Sequence, residues 1–156
     1  MRRKDREVSE PQALYEILRR GKSLHLSLRD GDGTYVVPLS YGVSYENGRW
    51  ELYFHGAATG KKMELIRENP RASFCVTVEH GVIPGETAGN YSFAYKSVMG
   101  TGRVEILEGL PEKRRGLACL FSHYAPETAF ESPDRVVENT AVLRLLVEEI
   151  SGKHRM

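Results

Sequence analysis

The chain has 156 residues, 40% of them hydrophobic, which is enough for one globular domain with its own core; a single domain over residues 1–156 is expected. Lysine and arginine total 22 against 21 acidic residues, a formal charge of +1, so the composition carries no nucleic-acid footprint. No stretch approaches the length of a membrane span, about 20 apolar residues, and Cys75 and Cys119, without metal-ligand spacing, read as reduced core thiols of a cytoplasmic protein.

Met1-Arg2-Arg3-Lys4-Asp5-Arg6 is a basic, solvated tip with no apolar run behind it. Ser9 and Gln12 have capping-box spacing, and Leu14, Ile17 and Leu18 form one face of a helix that stops at Gly21 and covers the end of a sheet or barrel. Leu24, Leu26 and Leu28 alternate with polar residues, and Asp30-Gly31-Asp32-Gly33 turns that strand into a second one over Thr34–Tyr41. Glu46-Asn47-Gly48 turns into a third strand, in which Trp50, Leu52 and Phe54 alternate with Glu51, Tyr53 and His55. Met63, Leu65 and Ile66 belong to a short helix that ends before Pro70.

Phe74, Val76 and Val78 mark a fourth strand, His80–Asn90 reads as a loop able to act as a lid, and Tyr91–Leu107 is extended, with Gly100 and Gly102 marking a bulge or corner. Leu117, Leu120, Phe121 and Tyr124 give a late helix its apolar face, and Ala141–Ile150 is the last strand, followed by a basic tail, Ser151–Met156. The sum is an α+β, mainly β, protein: six antiparallel strands in a small barrel with flanking helices.

The stretch from Tyr53 to Lys62 is the first candidate for chemistry. The free N–H groups and dipole of a helix start, with Lys61 and Lys62 beside Thr59 and Gly60, form a cradle for a phosphate, although two lysines on an exposed helix end have the same appearance. It is not a Walker loop, because the four-residue gap between glycines and the following Ser or Thr are absent. His55, at a strand end beside this cradle, fits either a pocket wall or a satisfied structural histidine. Pro38, inside Val37-Pro38-Leu39-Ser40, marks either a protected sheet edge or a backbone that faces a flat ligand. The histidines offer no metal-type spacing, so no metal site is expected.

Three motifs in order, Val37-Pro38-Leu39-Ser40-Tyr41-Gly42, then Leu52-Tyr53-Phe54-His55-Gly56-Ala57 with Gly60-Lys61-Lys62, then Tyr95-Lys96-Ser97-Val98-Met99-Gly100-Thr101-Gly102, resemble the split-barrel flavoproteins related to pyridoxamine 5'-phosphate oxidase. The sequence is most similar to the branch of 5-nitroimidazole resistance proteins. The resemblance implies a six-stranded split β-barrel, a homodimer, and one FMN in each of two clefts at the subunit interface. It implies that Val37, Pro38, Leu39 and Ser40 lie along the isoalloxazine, that His55 sits by the ring or ribityl chain as the candidate catalytic residue, and that Thr59, Gly60, Lys61 and Lys62 hold the phosphate. Ser97, where the oxidases usually carry glutamine, would reach the flavin's polar edge. The implied activity is FMN-dependent reduction of a nitroimidazole or another small aromatic molecule, with neither nucleic acid nor membrane as a partner; the alternative is a split barrel that holds flavin or haem without turnover. Pyridoxamine-phosphate oxidation itself is disfavoured, because Ser151–Met156 resembles the oxidases' substrate-gripping C-terminus only in being basic.

Overall fold

The computed structural model describes residues 3–156; Met1 and Arg2 of the basic tip lie outside the described residues, and Lys4–Arg6 form a 3-10 turn. Eight antiparallel strands form one curved, open sheet in place of the six expected. They are β1 (Glu7–Val8), β2 (Leu24–Asp30), β3 (Gly33–Leu39), β4 (Gly42–Glu46), β5 (Arg49–Gly56), β6 (Arg71–Ile83), β7 (Ser92–Leu107) and β8 (Ala141–Arg155). The spatial order is β3-β2-β6-β7-β8-β5-β4, with β1 added to β8. Two of the strands leave no periodic signal in the sequence, for physical reasons. β1 is too short to show a period, and β4 hides behind a break at Ser40-Tyr41, where Tyr41 is buried and donates its hydroxyl to the Leu18 carbonyl.

Four helices join the strands: α1 (Pro11–Arg20), α2 (Lys61–Glu68), α3 (Leu110–Tyr124) and α4 (Asp134–Asn139). The capping box is corrected: Pro11 occupies the first helical turn with Glu10 as N-cap, so the helix starts one residue later than Ser9 would set it, and no side chain caps it. The apolar face is as expected, with Leu14, Ile17 and Leu18 buried. The core lies on the concave side, where Leu24, Leu26 and Leu28 meet Leu52, Phe54, Phe74, Val76, Leu143 and Leu145, and α1 and α2 close it. Asn47 and Gly48, both with positive φ, make the expected tight turn between β4 and β5.

Three other expectations change. β6 continues to Ile83 across a register shift between Glu79 and Gly81, so strand occupies the first part of the expected His80–Asn90 loop. The tail expected to follow the last strand is itself strand: β8 runs to Arg155, with Lys153 opposite Ser97 and His154 opposite Lys96, and β1 covers its other edge at Gly152 and Lys153. Cys75 is not a core thiol, since the alternation that buries Phe74 and Val76 turns it to the convex face, half-exposed. Cys119 is half-buried on α3, and burial pushes its thiol up to about 11, which leaves it protonated at neutral pH. The bulge anticipated at Gly100 and Gly102 falls between Thr101 and Gly102. No helix among the described residues is long and apolar enough to cross a membrane.

α3 is pinned to the end of α1 by His123, whose Nε2–H donates to the Gly21 carbonyl at 2.8 Å while its buried Nδ1 has no partner. Burial lowers its pKa from the ordinary 6.5, because no group is placed to share a second proton. The folded chain therefore binds fewer protons than the unfolded chain as the pH falls through 6.5, and this contribution to stability is complete above that pH and declines below it. His123→Gln keeps a donor for Gly21, and chemical denaturation between pH 7 and 5 is expected to show a shallower loss of stability than wild type.

Candidate functional site

The start of α2 is built against the β2–β3 hairpin. Gly60, the N-cap, has φ of +108°, a backbone conformation that glycine adopts without side-chain strain, and no side chain caps the helix. The N–H groups of Met63 and Glu64 both donate to the Gly60 carbonyl, at 3.0 and 3.1 Å, so the first-turn N–H groups ahead of them remain directed outward. The preceding loop is held by Arg67, which donates to the Ala58 carbonyl at 3.2 Å. Thr59, Gly60 and Lys61 are exposed.

The two lysines differ. Lys61 Nζ lies 2.5 Å from Asp30 Oδ2 and 5.4 Å from the Tyr35 ring centroid, and its hydrogen bond to Asp30 raises its pKa. Lys62 is half-buried, has no carboxylate within ion-pair distance among the described residues, and is pulled down by burial. A Cβ built on Gly56 would sit 3.0 Å from Lys62 Nζ, so this ammonium lies against the end of β5, on the sheet face opposite to the one the neighbouring His55 presents. His55 itself is exposed, opposite Val142 of β8. The start of α2, the end of β5 and the β2–β3 hairpin thus converge on two cations and a set of outward N–H groups.

β3 is an edge strand, so Val37, Pro38 and Leu39 pair with β2 on one side only, and Ser40 follows the strand's end. Pro38 pairs with His25 and, with Val36 and Ser40, is exposed. Ser97 is on the same convex face but is 7% exposed, and β2 and β6 intervene between it and β3. Three strand spacings amount to about 14 Å. One chain therefore gathers Lys61, Lys62, Thr59, Gly60 and His55 near the head of β3 and keeps Ser97 apart.

Several neighbours of these residues are not apparent from the sequence motifs. Asp30 and Tyr35 are the partners of Lys61. On the convex face Ser97 has Lys153 opposite it, and the Lys153 ammonium is 5.7 Å from the Tyr95 ring centroid. A hydrogen bond to Lys153 holds the Tyr95 phenol below its ordinary value, helped by Arg6. Period-2 alternation in Tyr91–Leu107 would have put Tyr95 and Ser97 on one face, but Lys153 joins them only through the β7–β8 register. Two grooves of about 430 Å³ each cross the convex face and share Ser73, Thr101 and Glu149.

A curved antiparallel sheet split open along one side, with helices closing its ends, defines a split-barrel protein. A family model described as pyridoxamine 5'-phosphate oxidase matches residues 10–154, and the chain belongs to that family. Among solved structures, a candidate 5-nitroimidazole antibiotic resistance protein from Bacteroides thetaiotaomicron is 29% identical, with 95% of this chain and 86% of that one covered and a TM-score of 0.78. A FAD-binding protein from Mesorhizobium loti is 25% identical over 97% of this chain and 98% of that one, with a TM-score of 0.67. The flavocytochrome Anf3 from Azotobacter vinelandii shares the fold, with a TM-score of 0.81 at 22% identity over 100% of this chain and 72% of its own. No curated protein sequence matches this chain.

Proposed function

We propose that this protein is a cytoplasmic FMN-dependent oxidoreductase that works as a homodimer and reduces nitroimidazole-type or other small aromatic substrates. The observation that carries the reading is the uncompensated, half-buried Lys62 beside an uncapped helix start that abuts edge strand β3. A cation without a carboxylate, next to outward N–H groups, suits a phosphate monoester. From Tyr35, beside Lys61, to Ser40 the chain spans about 17 Å of extended backbone, comparable with an extended FMN. The phosphate would rest on Thr59, Gly60, Lys61 and Lys62, the ribityl chain near His55, and the ring against Val37, Pro38, Leu39 and Ser40.

Ser97 is too far from its own β3 for this arrangement, so its place is at the flavin of a second copy. That supports a site shared between two chains. FMN supplies hydride or electron transfer at its ring; the chain's part is to bind, orient and exclude water. Lys153, opposite Ser97, would bring positive charge to a flavin held there and so favour its reduced, anionic form. The FAD-binding and resistance-protein relatives add weight to a flavin and to a nitro-group substrate.

The test is the visible spectrum of protein purified without added cofactor, then reconstituted with FMN and freed of excess. Retained flavin bands, bleached by NAD(P)H or dithionite and restored by a nitroaromatic acceptor, are the expected result. A haem-type band would instead make this a binding protein without that turnover, and no retained chromophore would overturn the flavoenzyme reading.

A further inference from the structure

β6 and β7 outrun their neighbours. β2 pairs with β6 from Ala72 to Cys75, and β8 pairs with β7 no further than Tyr95, yet β6 and β7 continue to pair through Gly81–Ala94, Val82–Phe93 and Ile83–Ser92. The result is a two-stranded arm beyond the sheet. Such a ribbon is marginal in water unless something covers it, and this one presents Val82, 62% exposed, directly opposite Phe93, 42% exposed.

The arm's apolar pair continues a particular surface. Alternation along β7 places Phe93 on the face of Tyr95, Ser97 and Met99, and the register shift between Glu79 and Gly81 returns Val82 to that face. Met99 is 43% exposed and Val36, on β3, is 55% exposed on the same convex side. Apolar exposure is thus continuous in direction from the sheet face assigned above to the second copy out onto the arm.

We propose that the Val82–Phe93 pair of one chain packs over the flavin cleft of a second copy, with Phe93 as the apolar wall against which a flat substrate lies. This rests on the dimeric flavin reading. Ser97 reaches the copy's flavin, and Phe93 is four residues further along the same strand face, about 13 Å away. At that point the arm has left its own sheet behind, which leaves its apolar pair open to the other copy. A twofold interface is self-complementary, which gives each cleft one such arm. An aromatic and a branched aliphatic side chain at the mouth exclude water and select flat, weakly charged substrates over strongly polar ones.

The experiment uses FMN-loaded full-length protein. Phe93→Trp places an indole, an efficient quencher of flavin emission at contact, on the wall; bound-flavin fluorescence is expected to fall severalfold at unchanged flavin occupancy. Mixed dimers supply the decisive arm: a Phe93→Trp, Lys61→Ala, Lys62→Ala chain paired with a wild-type chain leaves flavin only in the wild-type chain's cradle, and its emission should still be quenched. Emission equal to wild type at equal occupancy would overturn the arm's placement and leave the flavin reading intact. A wild-type protein that retains no flavin would overturn that reading, and this inference with it. Phe93→Ser, which removes the wall with a small polar residue, is expected to make the flavin severalfold more accessible to iodide; unchanged accessibility would also count against the proposal.

Discussion

Lys61→Ala combined with Lys62→Ala is expected to weaken FMN binding by about 100-fold or more, since each removes a charge-assisted contact to a phosphate worth roughly tenfold or greater. Singly, Lys62→Ala should cost more than Lys61→Ala. Lys61 already holds Asp30 at 2.5 Å and must exchange one anion for another, whereas Lys62 has no carboxylate partner among the described residues to give up. Thermal stability should change little in the absence of cofactor, because an exposed ion pair contributes little to folding. Titration of apoprotein with FMN, followed by flavin fluorescence, reads the affinities, and a denaturation scan of the same samples reads the fold. Wild-type affinity in the double variant would remove the phosphate assignment.

Gly42→Val is expected to destabilise the protein by about 3 kcal/mol or more, the upper range for forcing atoms into a filled space. A Cβ on Gly42 would lie 2.5 Å from the Leu120 backbone nitrogen and 2.6 Å from the Cys119 carbonyl carbon. Those are backbone atoms in the middle of α3, and they cannot rotate aside. Relief requires α3 to move off β4, which also breaks the contact of Gly116 with Tyr53 and strains the His123 bond to Gly21. Urea unfolding should give a lower midpoint with little change in slope. A variant as stable as wild type would show that α3 is not held closely at this point.

Much of this architecture is legible in the amino-acid order. β2 and the first half of β6 alternate cleanly because one face of each is buried and the other is not, while β5 keeps the sequence alternation although Tyr53 is buried on its second face. α1 and α2 end where Gly21 and Pro70 require, and the Asn47-Gly48 turn needs two residues that tolerate positive φ. Candidate site residues on the Tyr53–Lys62 stretch are equally visible, since one short segment carries a strand end, a glycine hinge and two cations. The tail is the opposite case. Ser151-Gly152-Lys153-His154-Arg155 has no apolar period, and it is strand only because β7 offers it a full row of backbone partners and β1 closes its other edge.

Local pattern alone determined the mainly antiparallel class, the core stripes and the cationic helix start at Gly60, because period, capping and backbone freedom act over a few residues. Only the tertiary structure decided that Lys61 is engaged with Asp30 while Lys62 is not, that Ser97 stands three strands from β3, and that β6 and β7 project as an arm. Each of these depends on the register between strands far apart in sequence, and register is set by the sum of many long-range contacts that no short stretch of residues contains.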